Sequence, residues 1–371
     1  MEITENSFIN TPKPREQVEA LNPYSAPLEG RRNLLRLDFN ENTIGPSPLV
    51  IQALKAIKRE EISIYPEYSG LKEKLMENLK TQNPSVDINS SEIGIFNGVD
   101  ASINAIFHAY GDRDELMLTT SPTFGYYAPC AQMRGMKISS IPYESIDFQY
   151  PFNKICKFIV QQRPKILLIC NPNNPTGTSL DPERIIEISK LSPKTLVVVD
   201  ELYEAFTGGS VLPFVNFQKI TNLVVLRSLS KTAGLAGLRI GFAIGNSKVI
   251  NIINRVTGPY DVNSFAVTAA FAALKDQSYI DLYVKKVLEA RNWLKIKLEE
   301  HKVKHHIGGG NYFLLWPKSG PKDAEKKLKA SGILVRNMDK KINLKGSLRV
   351  SIGTLEQMKR FWSAFKLIEK I

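Results

Sequence analysis

The stretch SLSKTAGLAGLRIGF, residues 228–242, carries the strongest chemical signal in the chain. The serines and glycines of SLSKTAGLAGLR, residues 228–239, predict a turn. Lys231 lies in this turn, where partial removal from water would lower its pKa and make its amine nucleophilic. Ser228, Ser230 and Arg239 flank it, and hydroxyls beside a guanidinium suit a phosphate dianion. The turn is therefore a candidate site for an anion and a reactive amine, although a single lysine is more often a solvated loop residue.

Outward from this turn, short apolar runs alternate with helical segments. Strands are predicted at residues 93–96, 116–119, 165–170, 195–199 and 223–226. Because these runs are apolar throughout and are separated by helices, they favour a parallel sheet covered on both faces. The sequence therefore predicts an α/β fold with a mostly parallel central sheet.

The character of the sequence changes near residue 262. Beyond it we expect a long helical stretch from Phe265 past Trp293, followed by strands at 312–316 and near Ile333 and Leu348, with a basic helix at 323–330. These elements predict a smaller α+β domain. Residues 1–30 are polar and contain four prolines, so we interpret them as an N-terminal arm. The predicted division is an arm at 1–30, a large domain at 31–262 and a small domain at 263–371.

Composition limits the classes of function. With 371 residues, of which 43% are hydrophobic and 23% charged, the chain is long and apolar enough for a large core, which argues against disorder. The 49 basic and 37 acidic residues leave a net charge of +12, for which nucleic acid, an acidic membrane or a phosphorylated ligand would be partners. We find no nucleic-acid-binding motif, no secretory signal and no apolar run of about 18 residues, so we expect neither a nucleic-acid nor a membrane partner.

The three cysteines bear on the compartment and on metal binding. Cys130, Cys156 and Cys170 have a spacing that fits neither a disulfide framework nor a metal site. We therefore expect a reducing compartment, the cytoplasm, and no metal ion.

Polar segments follow several of the predicted strands. In a parallel α/β sheet, ligands bind at the carboxyl ends of the strands, so these segments should lie close together. They are Gly98-Val99-Asp100, NPNNPTG at 171–177, DELY at 200–203 and RSLSK at 227–231. Asp200 could cap a helix or pair with a cationic ring nitrogen, and its position alone does not choose between the two.

In this order and spacing, the segments resemble the pyridoxal-phosphate (PLP) aminotransferases of fold type I, class I/II. The resemblance covers roughly residues 21–354, and within the family it is greatest to the histidinol-phosphate aminotransferases. The matching blocks are LNPY (21–24), LDFNENTIGPSP (37–48), YP (65–66), NGVD (97–100), SPTFGYY (121–127), NPNNPTG (171–177), DELY (200–203), SLSKTAGLAGLRIGF (228–242), GPYDVN (258–263), GILVR (332–336) and LRVSIGT (348–354). The resemblance implies the fold type I architecture and PLP as the cofactor.

The resemblance also implies contacts to PLP. Lys231 would hold the cofactor covalently and move a proton between substrate and cofactor. Asp200 would pair with the pyridinium nitrogen, and Tyr203 and Asn174 would bond the phenolate oxygen. Phe124 would stack on the ring, where the family usually has a tyrosine. The cofactor phosphate would be held by Ser228, Ser230, Arg239, the backbone N–H groups of Val99 and Asp100, and Tyr65 from the neighbouring subunit, which implies a homodimer with shared active sites.

For the substrate, the resemblance implies that Arg349 binds an α-carboxylate and that Arg336 binds a distal phosphate, helped by Tyr24 from the arm. Asn40 and Asn311 are at least as consistent with turn capping as with ligand contact. Ile64, Ala101 and Leu202 depart from the residues that the family often has at these positions. None of these departures removes a catalytic group, but together they leave the substrate less defined.

Four functions are consistent with these features. The first is transfer of an amino group between histidinol phosphate and 2-oxoglutarate, in histidine biosynthesis. A threonine-phosphate decarboxylase and an aromatic aminotransferase would use the same fold and cofactor. A nucleic-acid-binding or regulatory protein would use the fold alone, but the missing nucleic-acid-binding motif counts against it. Ten basic residues and three acidic ones lie between residues 318 and 349, so much of the charge excess is local. This local excess favours small phosphorylated and dicarboxylic substrates.

Overall fold

The computed structural model describes residues 11–21 and 29–371. Its helices are α1 Glu16–Glu19, α2 Pro48–Lys55, α3 Arg59–Ile62, α4 Leu71–Gln82, α5 Val99–Tyr110, α6 Tyr127–Met133, α7 Phe152–Gln162, α8 Pro182–Leu191, α9 Ser247–Asn254, α10 Ser264–Lys275, α11 Gln277–Glu300, α12 Pro321–Ala330 and α13 Leu355–Glu369. Its strands are β1 Leu35–Leu37, β2 Ile93–Phe96, β3 Leu116–Ser121, β4 Lys137–Pro142, β5 Ile166–Cys170, β6 Leu196–Asp200, β7 Leu223–Ser228, β8 Gly241–Gly245, β9 His305–Ile307, β10 Tyr312–Leu315, β11 Ile333–Asn337 and β12 Leu348–Ser351.

The larger sheet has the strand order β2-β8-β7-β6-β5-β3-β4. Its strands run parallel except β8, which pairs antiparallel with both β2 and β7. Every residue of β5 and β6 is buried, as expected for central strands that are covered on both faces. The predicted α/β fold with a mostly parallel central sheet is thereby confirmed.

The smaller sheet has the order β1-β11-β12-β10-β9. Most adjacent strands in this sheet pair antiparallel, but the edge strand β1 runs parallel to β11. Because β1 precedes the whole larger sheet in sequence, the chain enters through the smaller sheet and returns to it after α11. The division at residue 262 stays a prediction, and β1 lies in the part of the chain before it.

The predicted long helix after Phe265 is wrong in one respect, because the chain breaks at Asp276 into α10 and α11. The carboxylate of Asp276 accepts a 2.5 Å hydrogen bond from the hydroxyl of Ser47, the N-cap of α2. The alanine-rich α10 packs against α2 and α4, so it joins the core of the larger sheet. Within the described parts of the chain, no helix combines the length and apolarity needed to cross a membrane.

Candidate active site

A cleft of about 1150 Å³ lies where the carboxyl ends of the large sheet face β11, β12 and α12. Six residues predicted for the cofactor and two predicted for the substrate line it: Asp100, Phe124, Asn174, Tyr203, Lys231, Arg239, Arg336 and Arg349. A smaller cavity of about 130 Å³, the inner cavity, is lined by some of the same residues. It adds Val99, Asp200, Ser228 and Ser230 to the set. The fold therefore brings together the segments that follow separate strands.

Lys231 points its amine into the cleft. Its Nζ donates a 3.0 Å hydrogen bond to the backbone oxygen of Phe39 and lies 5.8 Å from the centre of the Tyr203 ring. Burial lowers the pKa of Lys231 to about 8, and the nearby charge of Arg349 acts in the same direction. A larger share of this amine is therefore neutral, and so nucleophilic, near neutral pH than for a solvated lysine.

Asp200 is the last residue of β6 and is only 2% exposed. Its carboxylate accepts a 2.5 Å hydrogen bond from the Tyr127 hydroxyl and a 3.3 Å bond from the backbone N–H of Leu202. Burial raises the pKa of Asp200 to about 6, and the bond from Tyr127 opposes that rise. A carboxylate held this way is mostly ionised at neutral pH and can pair with a cation that enters the cavity.

Tyr127 belongs to the site but is absent from the predicted residues. It lies on α6, is fully buried, and packs edge-on against Phe124 with ring centres 5.4 Å apart. In the sequence it is the second tyrosine of SPTFGYY, and nothing there distinguishes it from a core residue. Only the folded structure shows that its hydroxyl orients the carboxylate of Asp200.

One hydrogen-bond network joins residues predicted for the cofactor to a residue predicted for the substrate. The Tyr203 hydroxyl accepts bonds from the amides of Asn40 (3.1 Å) and Asn174 (3.4 Å). Arg349 donates from Nη1 to the Asn174 side-chain oxygen (2.7 Å) and from Nη2 to the backbone oxygen of Asp38 (2.5 Å). Burial raises the pKa of Tyr203, so its phenol is protonated at neutral pH. Asn40 thus lies within the network, with its amide directed at Tyr203.

An anion cradle forms where α5 begins. Val99 and Asp100 are the first residues of this helix, whose leading N–H groups have no partner within the helix. Arg239 lies beside them and its Nη2 is 2.8 Å from a carboxylate oxygen of Asp100. Gly98 has a φ of +79°, and a Cβ there would lie 2.6 Å from Nη2 of Arg239, so only glycine allows this approach. Ser228 contributes a hydroxyl that accepts from the Ser230 N–H at 3.0 Å.

One described residue predicted for the cofactor lies outside both cavities. Tyr65 lines neither cavity; it is 70% exposed and stacks on Tyr260 with ring centres 4.0 Å apart. Tyr24 lies outside the described residues. Arg336 lies opposite Arg349 in the antiparallel register of β11 and β12, and its guanidinium carbon is 5.7 Å from the centre of the Phe39 ring. Asn311, the weaker candidate, donates its amide to the backbone oxygen of Asn40 at 3.2 Å.

These residues meet the chemical demands of PLP. The inner cavity combines an amine of lowered pKa, a buried carboxylate able to pair with a ring nitrogen, hydroxyl and amide groups around Tyr203, and an anion cradle at a helix start. The fold and the site together define a PLP-dependent enzyme of fold type I.

The chain belongs to the class I and II aminotransferases, whose family model matches residues 32–365. It is therefore a PLP-dependent aminotransferase. It is 32% identical over 345 residues to a histidinol-phosphate aminotransferase of Clostridium novyi (strain NT), a match that covers 92% of this chain and 93% of that protein. It is also 32% identical to the chloroplastic histidinol-phosphate aminotransferase of Nicotiana plumbaginifolia, over 98% of this chain and 87% of that protein.

Among solved structures, the chain is similar to a histidinol-phosphate aminotransferase from Sinorhizobium meliloti in complex with pyridoxal-5′-phosphate. The TM-score is 0.84 at 20% identity, and the match covers 96% of this chain and 98% of that one. At this identity the likeness bears on the fold alone.

Proposed function

We propose that this aminotransferase moves an amino group between histidinol phosphate and 2-oxoglutarate, giving imidazole-acetol phosphate and glutamate, in histidine biosynthesis. The observation that carries the proposal is the pair of arginines, Arg336 and Arg349, on adjacent strands of the cleft wall that faces Lys231. Two guanidiniums beside a reactive amine suit a phosphate dianion in one half-reaction and the two carboxylates of glutamate in the other. The two relatives named above are histidinol-phosphate aminotransferases, which supports the same choice.

The residues of the inner cavity would divide the chemistry between them. PLP, when bound, supplies an electron sink for the electrons released when the substrate's α-proton leaves. Lys231 would take that proton and return it, since its amine is partly neutral at working pH. Asp200 would hold a positive charge at the ring nitrogen, while Tyr203 and Asn174 would orient the ring. Phe124 would cover the ring face, and Ser228, Ser230, Arg239 and the first N–H groups of α5 would hold the phosphate.

The two arginines would serve the two half-reactions. The planar guanidinium of Arg349 fits the α-carboxylate of glutamate with two parallel bonds. Histidinol phosphate has no carboxylate on its reacting carbon, so its phosphate must supply the anionic contact. Arg336 would hold this phosphate in one half-reaction and the side-chain carboxylate of glutamate in the other. Tyr24 is proposed as its helper from the arm.

Replacing Arg336 with alanine is expected to lower kcat/KM for histidinol phosphate about 100-fold, since a charge-assisted contact to a dianion is removed. Dephosphorylated histidinol should react equally slowly with both proteins. The measurement is the half-reaction of the PLP form with each donor, and Arg255→Ala, an exposed arginine at the end of α9, is the matched control. Equal effects on both donors would contradict the assignment. Release of CO₂ from threonine phosphate would favour the decarboxylase instead.

We further propose a homodimer with shared sites, in which Tyr65 reaches the cofactor phosphate of the neighbouring subunit. Tyr65 is exposed beside the exposed Ile62, Ile64 and Tyr260, an apolar surface suited to a second copy of the chain.

We also propose that the protein works in the cytoplasm. Its cysteines, Cys130, Cys156 and Cys170, are free thiols, which is consistent with a reducing compartment.

A mixed dimer tests the sharing of sites. Tyr65→Ala is expected to raise the Kd for PLP about tenfold, because one hydrogen bond to a charged group is lost. A dimer of one Tyr65→Ala subunit and one Lys231→Ala subunit would then hold one complete site, since the intact Lys231 and the intact Tyr65 meet there. That site should bind PLP with wild-type affinity. Weak binding in the mixed dimer would place Tyr65 in the site of its own subunit and disprove the proposal.

A further inference from the structure

The loop between β11 and β12, residues 338–347, forms part of the cleft wall and is held firmly in place. Met338 and Leu344 are buried in a cluster with Tyr143, Phe148 and Leu314. The backbone N–H of Met338 donates to the oxygen of Ser347 at 3.0 Å, and that of Lys341 donates to the oxygen of Met338 at 2.9 Å. The side chains that this loop presents to the cleft therefore start from a fixed backbone.

Positive charge dominates this wall. Lys322, Lys340 and Lys341 line the cleft together with Arg336 and Arg349, against the carboxylates of Glu325 and Asp339. Both carboxylates accept from neutral donors: Glu325 from the Asn337 amide at 3.0 Å, and Asp339 from the Gly346 N–H at 2.7 Å. Among the ion pairs of residues 11–21 and 29–371, none includes Arg336, Lys340 or Lys341.

Lys341 is the loop lysine that both arginines influence. Burial lowers the pKa of Lys341, and the charges of Arg336 and Arg349 lower it further. Arg336, Lys341 and Arg349 line the same cleft and repel one another, and an anion bound among them would relieve the repulsion. The arrangement is therefore more suited to a doubly charged ligand than to a singly charged one.

We infer that Lys341 and Arg336 together form a subsite for a phosphate dianion, and that Lys341 sets the preference for the phosphorylated substrate over glutamate. The inference rests on the proposed function. A phosphate has three acceptor oxygens and nearly two negative charges, whereas a carboxylate is satisfied by one bidentate guanidinium. The compact ammonium of a lysine adds a point charge that attracts a phosphate dianion more strongly than a singly charged carboxylate.

The test compares Lys341→Gln with Lys345→Gln, which removes the same charge from the same loop at a position that lines neither cavity of the site. Half-reactions of the PLP-loaded enzyme are measured with histidinol phosphate and with glutamate at constant ionic strength. Lys341→Gln should lower kcat/KM about tenfold for histidinol phosphate and less than about twofold for glutamate. Lys345→Gln should change neither. Equal losses for both donors in Lys341→Gln would overturn the inference.

A second measurement separates this inference from the proposed function. Inorganic phosphate is added as a competitor to the glutamate half-reaction, with the PLP site saturated. Its inhibition constant should rise about tenfold in Lys341→Gln and stay unchanged in Lys345→Gln. If histidinol phosphate is not a substrate, the proposed function fails, yet this result still decides whether the subsite exists. An unchanged inhibition constant in Lys341→Gln would show that it does not.

Discussion

Replacing Lys231 with alanine is expected to lower kcat by about 10⁴-fold or more, since general acid–base catalysis alone contributes about 10²–10⁴-fold. The variant would lose both the proposed covalent attachment of PLP and the group proposed to move the α-proton. Among the described residues, the other lysines that line the cleft are Lys322 on α12 and Lys340 and Lys341 in the loop after β11, so none belongs to the turn that holds Lys231. The variant should nevertheless fold, since among the described residues Nζ makes one hydrogen bond, to a backbone oxygen.

Borohydride reduction gives a direct readout of the attachment. The wild-type protein should be labelled by PLP on the peptide that contains Lys231, and the alanine variant should lose that label and the associated visible absorbance. Lys326→Ala, an exposed lysine on α12, is the matched control and should keep both. A label that remains in Lys231→Ala, or turnover above about 1% of wild type, would mean that another amine attaches PLP or moves the α-proton.

The central strands could be predicted because of where they lie in the sheet. β5, β6 and β7 are covered on both faces, so nearly every residue in them is apolar and each run stands out in the sequence. β4 is an edge strand with the polar sequence KISSIP, and it was not predicted. β8, GFAIG, contains two glycines, which disfavour strands, and no strand is predicted there from the sequence. Amino-acid composition therefore fails to predict strands at the edges of a sheet and strands in which glycine allows close packing.

The site could be predicted only as far as side chains follow strand ends or match a family motif. Asp200, Asn174 and Lys231 do so, and the inner cavity brings them together. Tyr127 acts from the buried side of α6, and Phe39 contributes a backbone oxygen that any residue could supply. Contacts of these two kinds depend on tertiary placement, so no local pattern in the sequence reveals them.

Replacing Asp200 with asparagine is expected to lower kcat about 10³-fold, because the positive charge at the PLP ring nitrogen would lose its buried counter-charge. The amide has the shape of the carboxylate and can still accept from Tyr127, so the loss would come from charge rather than from packing. The measurement is kcat with PLP held at saturation. Asp261→Asn, a change in a partly buried carboxylate that bonds the Asn97 N–H outside both cavities of the site, is the control and should leave kcat within about twofold of wild type.

In the PLP-free protein, Asp200→Asn should leave thermal stability unchanged or increase it, in contrast to its effect on kcat. Burial raises the pKa of Asp200 from 3.8 to about 6, so the folded protein binds this proton more tightly than the unfolded chain does. The ionised carboxylate therefore destabilises the fold fully above pH 6, by at most about 3 kcal/mol, and this cost disappears as the pH falls towards 4. Asp200→Asn removes the cost, so at pH 7.5 its PLP-free Tm should equal or exceed that of the wild type, with a difference that narrows on acidification. Saturating PLP should reverse the order, because only the wild-type carboxylate gains a cationic partner. A PLP-free variant that melts lower than the wild type at pH 7.5 would show that Asp200 is needed for folding, independently of the cofactor.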